Sequence, residues 1–169
     1  MNSSVKYYAG VGSRETPQDI LKLMEQLGYF LSKDYILRSG GAIGADSAFE
    51  RGCDKGKGKK EIFYAKEGKG TPIPPEILIQ AREIAASVHP AWDRCDEYAR
   101  KLHTRNACQI LGDDLQSPVE FVICWTKNGG FTGGTATAMR IAERNGIKIL
   151  NLFDDKTKLQ IIKRVAQQK

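Results

Sequence analysis

No apolar run in this chain reaches the ~18 residues needed to span a bilayer, so no membrane partner is expected. The opening Met-Asn-Ser-Ser-Val-Lys lacks the basic, apolar and small-residue order of a secretory signal, which points to a cytoplasmic protein. Histidine is scarce: His89 and His103 are the only two. The four cysteines, Cys53, Cys95, Cys108 and Cys124, include no Cys-x-x-Cys pair. A zinc site calls for a tighter cluster, so neither a metal nor a cofactor is expected, and the thiols read as reduced and mostly buried. No Gly-x-x-x-x-Gly-Lys-Ser/Thr loop is present, which excludes an ATPase of that type. A Gly-x-Ser-x-Gly elbow is missing as well. The aromatic residues are spread out, without the basic and stacking stripe of a dedicated single-strand binder.

What is present suits one globular domain. The chain has 169 residues, 41% hydrophobic and 27% charged, which fits a single domain with a full core. The net charge is +6, and part of it lies in the run Lys55-Gly-Lys-Gly-Lys-Lys60, which reads first as a solvated loop.

Along the chain, strands, glycine turns and helices alternate. Val5 to Ala9 is β-prone and leads into Gly10-Val-Gly-Ser-Arg14. Thr16-Pro17 marks a helix start, with threonine as a cap and proline at the first helical position. Ile20, Leu23, Met24, Leu27 and Leu31 then recur at helical spacing. Tyr35 to Leu37 is a second strand, followed by Ser39-Gly-Gly-Ala-Ile-Gly44, a short helix from Ala45 to Gly52 and a third strand from Glu61 to Ala65. Gly68 to Pro75 is loop, and Glu76 to Ser87 and Arg94 to Leu111 read as helices interrupted at His89-Pro90. Val119 to Trp125 is nearly all apolar, as a strand buried on both faces should be. After the loop Asn128-Gly-Gly-Phe-Thr-Gly-Gly134 come a helix from Thr135 to Asn145 capped by Gly146, a strand from Ile147 to Leu152 and a last helix from Asp154 to Gln167. This order predicts an α/β, Rossmann-like, doubly wound and mostly parallel sheet with helices on both faces. Residues 1–169 form one such domain, with a helical insertion at about 68–112.

Three glycine-rich turns follow three predicted strands. In a parallel sheet they emerge at one edge, where open α/β sheets bind ligands. Glycine lets the backbone approach a ligand closely, and the helix that follows directs free amides and partial positive charge at the same place, which suits phosphate. The candidate ligand-binding residues are therefore Gly10, Gly12, Ser13 and Arg14 in the first turn, and Ser39, Gly40, Gly41 and Ala42 in the second. Thr132, Gly133, Gly134 and Thr135 follow in the last. Arg14 has a guanidinium to fork onto phosphate or carboxylate. Ser13 and Ser39 offer hydroxyls to phosphate or to a turn. Asp46 accepts from a ribose hydroxyl or steadies the start of its helix, and the helix role is slightly favoured. Trp125 stacks on a base, seals the pocket, or packs in the core. On the helix before the fourth strand, Leu102 and Asn106 share a face, from which His103 and Arg105 diverge.

Together, Ala9-Gly-Val-Gly-Ser-Arg14, Leu37-Arg-Ser-Gly-Gly-Ala-Ile-Gly-Ala-Asp46, Arg105-Asn106, Thr132-Gly-Gly-Thr135, Ile141-Ala and Gly146-Ile-Lys-Ile resemble the SLOG superfamily. That group of Rossmann-like nucleotide-binding proteins includes the DprA/Smf DNA-processing proteins and the LOG phosphoribohydrolases. The resemblance spans nearly the whole chain except about 66–100. It implies a pocket built from those segments, with Arg105 and Asn106 facing it, and a homo-oligomer. The LOG hydrolases carry Pro-Gly-Gly-x-Gly-Thr-x-x-Glu. The matching stretch here, Thr132-Gly-Gly-Thr-Ala-Thr-Ala-Met-Arg140, has no acid where the catalytic glutamate belongs, and Glu143 falls a turn later. The expectation is thus a binder rather than an enzyme. It would take a nucleotide-derived, phosphate-bearing small molecule, a signalling nucleotide or an ADP-ribose-like compound, for sensing or sequestration. A phage anti-defence role fits a stand-alone core of this kind. The alternatives are a nucleotide N-glycosidic or phosphate-bond hydrolase using Glu15, Asp46 or Glu120, and a DprA-like binder of single-stranded DNA.

Overall fold

The structure, a computed structural model, describes residues 5–167. Most of the opening segment read for a leader falls on residues 1–4, outside the described residues. Five strands form one sheet: β1 (Tyr7–Gly10), β2 (Ile36–Ser39), β3 (Lys60–Ile62), β4 (Phe121–Cys124) and β5 (Lys148–Asn151). Their order is β3-β2-β1-β4-β5, and every pairing is parallel. The sheet is thus wholly parallel among the described residues.

Among the described residues six helices cover it: α1 (Gln18–Leu31), α2 (Ala45–Lys55), α3 (Pro75–Val88), α4 (Glu97–Leu111), α5 (Ala136–Arg144) and α6 (Asp155–Gln167). Successive strand residues point to opposite faces, and both faces carry apolar side chains. On β4, Val122 and Cys124 join the core under α3, α4 and α5, whereas Ile123 joins Tyr8, Leu37 and the apolar stripes of α1 and α2 on the other side. The segment at about 68–112 contains α3 and α4, so it is the crossover that covers one face of the sheet. The two helices α1 and α2 touch backbone to backbone. A Cβ on Gly52 would lie 2.0 Å from Glu25 O, and one on Gly28 would lie 2.4 Å from Phe49 O.

Three local expectations change. Thr16 does not cap α1: its hydroxyl donates to Ser13 O at 2.6 Å, and Pro17, with extended backbone, takes the capping position itself. β3 ends at Ile62 because Phe63 already bridges antiparallel to Gly70 as the chain turns away. The helix expected from Arg94 begins at Glu97 instead. Asp96 caps it by accepting from Ala99 N at 2.8 Å, and a separate 3-10 turn occupies Trp92–Arg94.

Candidate functional site

The order β3-β2-β1-β4-β5 reverses direction between β1 and β4, which opens a crevice at the carboxyl edge of the sheet. A cavity of about 600 Å³ lies there. Gly12, Ser13 and Arg14 from the first turn and Gly40, Ala42 and Asp46 from the second line it. Thr132, Gly133, Gly134 and Thr135 form another wall, and α4 supplies Arg105 and Asn106. Twelve of the sixteen residues singled out in the sequence therefore meet in one hollow.

The other four lie outside its lining, each held by packing. Gly10 is the last residue of β1, and a Cβ there would sit 2.5 Å from the Phe49 ring. Ser39 is buried and donates to Gly10 O at 2.5 Å, tying β2 to β1. Gly41 has φ +73°, and its missing Cβ would lie 2.2 Å from the Tyr64 ring. Trp125 belongs to the core beneath α1 and α2 and meets Phe153 with ring centroids 6.1 Å apart. Of its possible roles, core packing is the one realised.

Asp46 has a task that neither expectation named. Its carboxylate is buried and accepts from Ala42 N at 3.2 Å, and the Gly40 and Gly12 amides lie close enough to favour its charge. It thus pins the second glycine turn, with the first turn beside it. Burial outweighs these hydrogen bonds and pushes its pKa up to about 7. The Ala42 amide is consequently committed within the protein. Ser13 N is committed too, to Trp125 O at 3.1 Å, and Ser13 Oγ accepts from Glu15 N at 3.0 Å as a turn cap.

The last turn is different. Gly133, Gly134 and Thr135 form a 3-10 turn that runs directly into α5, so their amides stand at a helix start where intrahelical acceptors are lacking. Gly133 has φ +68°, and a Cβ on either glycine would meet nothing within 4 Å. Internal packing therefore accounts for Gly10, Gly12, Gly40 and Gly41 but not for Gly134. Across the cavity, Asn106 Nδ2 donates to Gly134 O at 2.8 Å and fixes the turn.

α4 presents more to the cavity than its sequence suggested. Leu102, Arg105, Asn106 and Gln109 all line it. They are spaced i, i+3, i+4 and i+7, which is one helical face, so Arg105 does not diverge from Leu102 and Asn106. His103 does diverge and meets Thr137 on α5. Arg105 Nε donates to Tyr64 O at 2.5 Å, which orients its guanidinium. Gln109, missed in the sequence, was discoverable from that same spacing. Lys127 and Asn128, also missed, complete the rim, while Val11, Phe63 and Ala138 supply apolar wall.

Arg14, Arg105 and Lys127 give the cavity three cationic side chains, against Glu15 and the largely buried Asp46. Glu143 lies on a separate hollow with Met139 and Ile147, and Glu120 precedes β4 at the opposite edge of the sheet. Neither reaches the crevice. No helix among the described residues is long and apolar enough to cross a membrane.

The strand order and the crevice define a Rossmann-like α/β protein. No protein-family model, curated protein or solved structure matches the chain.

Proposed function

We propose that the crevice binds a nucleotide-derived small molecule through its phosphate, for sensing or sequestration. The observation that carries this reading is the Gly133–Thr135 turn. It combines helix-start amides, two glycines facing open space and a position held by Asn106, at the switch point of a parallel sheet. Arg14, Arg105 and Lys127 supply charge for a phosphate or diphosphate, and the exposed Leu102 side chain offers apolar surface to a base or ribose. A volume of about 600 Å³ is of the size that holds a mononucleotide or dinucleotide derivative. The SLOG-like motifs support the same reading.

A second reading, cleavage of a nucleotide bond, has one observation in its favour: Asp46 lines the cavity with its pKa pushed up to about 7, within range of a proton donor at neutral pH. One experiment separates the two. The purified protein is screened by thermal shift against nucleoside mono-, di- and triphosphates, ADP-ribose and cyclic nucleotides, and each stabilising compound is then recovered and weighed by mass spectrometry. A raised midpoint with the compound recovered intact supports capture. Recovery of free base or phosphate replaces capture by hydrolysis, and a panel without any stabilising compound rejects both.

A further inference from the structure

Cys95 and the two histidines are dispersed in sequence, yet the fold brings all three together. His89 follows α3, Cys95 follows the Trp92–Arg94 turn, and His103 sits on α4. One ligand atom from each lies within 4.8 Å of the others. We propose that His89, Cys95 and His103 form a binding site for a soft divalent cation of the zinc type. This site is separate from the nucleotide crevice and does not depend on the reading given for it.

The geometry fits the ion. A zinc with Zn–S of about 2.3 Å and Zn–N of about 2.05 Å in tetrahedral array places sulfur and nitrogen about 3.6 Å apart. Cys95 Sγ and His89 Nε2 are 3.6 Å apart. The imidazoles of His89 and His103 meet edge to face, with centroids 4.4 Å apart, so their nitrogens crowd one small volume. His103 Nδ1 is 2.8 Å from the Thr137 hydroxyl. With Nδ1–H donating to that hydroxyl, Nε2 presents a lone pair, the outer-sphere arrangement usual for a metal-bound histidine. The Trp92 ring packs on both histidines at 6.2 and 6.4 Å and shelters the site, while His89 and Cys95 stay half-exposed and open to an entering ion. Three protein ligands leave the fourth position for water or an exogenous anion.

The same groups also engage neighbouring backbone and one another. Ala91 N donates to His89 Nδ1 at 3.0 Å, which leaves the Nε2 proton facing Cys95, and the Cys95 thiol reaches Ala91 O at 3.6 Å. Coordination through His89 Nε2 moves that proton to Nδ1 and breaks the Ala91 contact. The Cys95 thiol proton leaves to solvent. The 89–95 turn therefore adjusts on binding, and the ion ties it to α4.

Two measurements test this. First, one equivalent of Co²⁺ is added to the reduced protein. A near-ultraviolet thiolate-to-cobalt band with visible bands of tetrahedral strength is expected, and Cys95→Ser should abolish the former. His89→Gln and His103→Gln should each weaken Co²⁺ binding at least tenfold. Cys53, Cys108 and Cys124 are buried and offer no competing thiolate. Absence of the thiolate band at stoichiometric cobalt, or its survival in Cys95→Ser, overturns the site. Second, with no variant needed, Cys95 of the wild-type chain is alkylated with iodoacetamide with and without Zn²⁺ and mapped by peptide mass spectrometry. Slowing of at least tenfold by stoichiometric Zn²⁺ is expected, and an unchanged rate overturns the proposal.

Discussion

Asn106 on α4 donates its side-chain amide to the carbonyl oxygen of Gly134, 28 residues further along the chain, at 2.8 Å. Asn106 is itself buried at the cavity wall, whereas Gly134 is exposed, so the bond is only partly shielded from water. Replacing it by leucine leaves Gly134 O without that donor. A typical intramolecular hydrogen bond contributes about 0.5–1.5 kcal/mol net. Asn106→Leu should therefore lower stability by that amount in urea unfolding. It should also weaken capture of whichever nucleotide stabilises the wild type, because the turn is no longer held.

The glycines make opposite predictions. Gly134→Val places its side chain in open space on backbone that L residues adopt readily, so the variant should fold with nearly the wild-type midpoint while losing ligand-induced stabilisation. Gly41→Val should instead damage the fold: it forces a β-branched residue to φ +73° and drives it into the Tyr64 ring. Overpacking alone costs about 1–3 kcal/mol. Thermal melts of both variants, with and without ligand, check the pair.

Asp46 predicts a pH dependence. Its folded-state pKa is pushed from 3.8 up to about 7, chiefly by burial. Between those values the native chain keeps a proton that the unfolded chain has released, so stability from this group is full below about pH 4 and is lost as pH rises through about 7. Asp46→Asn should flatten that decline when urea unfolding is followed from pH 4.5 to 8. Affinity for an anionic ligand in the same cavity should fall over the same interval in the wild type, since the carboxylate gains charge.

Arg14 is exposed and makes no side-chain hydrogen bond or ion pair among the described residues. Arg14→Ala should change stability by less than about 0.5 kcal/mol, as surface substitutions do. It should weaken phosphate capture by roughly tenfold, the loss of one charge-assisted contact. A titration with single-stranded DNA in parallel distinguishes the other partner considered: tight DNA binding that falls steeply with salt would displace the small-molecule reading.

Much of the fold is legible in the sequence because its signals are local. Alternating strands, glycine turns and amphipathic helices from Ile20 to Leu31 and from Thr135 to Asn145 announce a parallel sheet, and a strand as apolar as Val119 to Trp125 announces burial on both faces. Most of the cavity lining follows from the turns. What stayed hidden is tertiary. Nothing near Asp46 reveals that its carboxylate will be buried on the amide of Ala42, or that Gly10 and Gly41 are glycines for the sake of Phe49 and Tyr64. Trp125 ends a strand, and the side it faces depends on where α6 and Phe153 settle. The phase of Arg105 was readable from its spacing to Leu102 and Gln109. The meeting of His89 with Cys95 and His103 was not, because an irregular turn carries two of them to the third.

In the proposed binding mode, the amides at the start of α5 receive the phosphate. Backbone chemical-shift perturbation in ¹⁵N-labelled protein, with ADP-ribose and ADP as probes, reads those amides one by one. The expected result is that the largest shifts fall at Gly133, Gly134 and Thr135, accompanied by Arg14, with Ala42 and Ser13 moving less because Asp46 and Trp125 O already hold their amides. Shifts confined to other surfaces, or none at millimolar concentration of either probe while a different anion perturbs a different edge of the sheet, would contradict it.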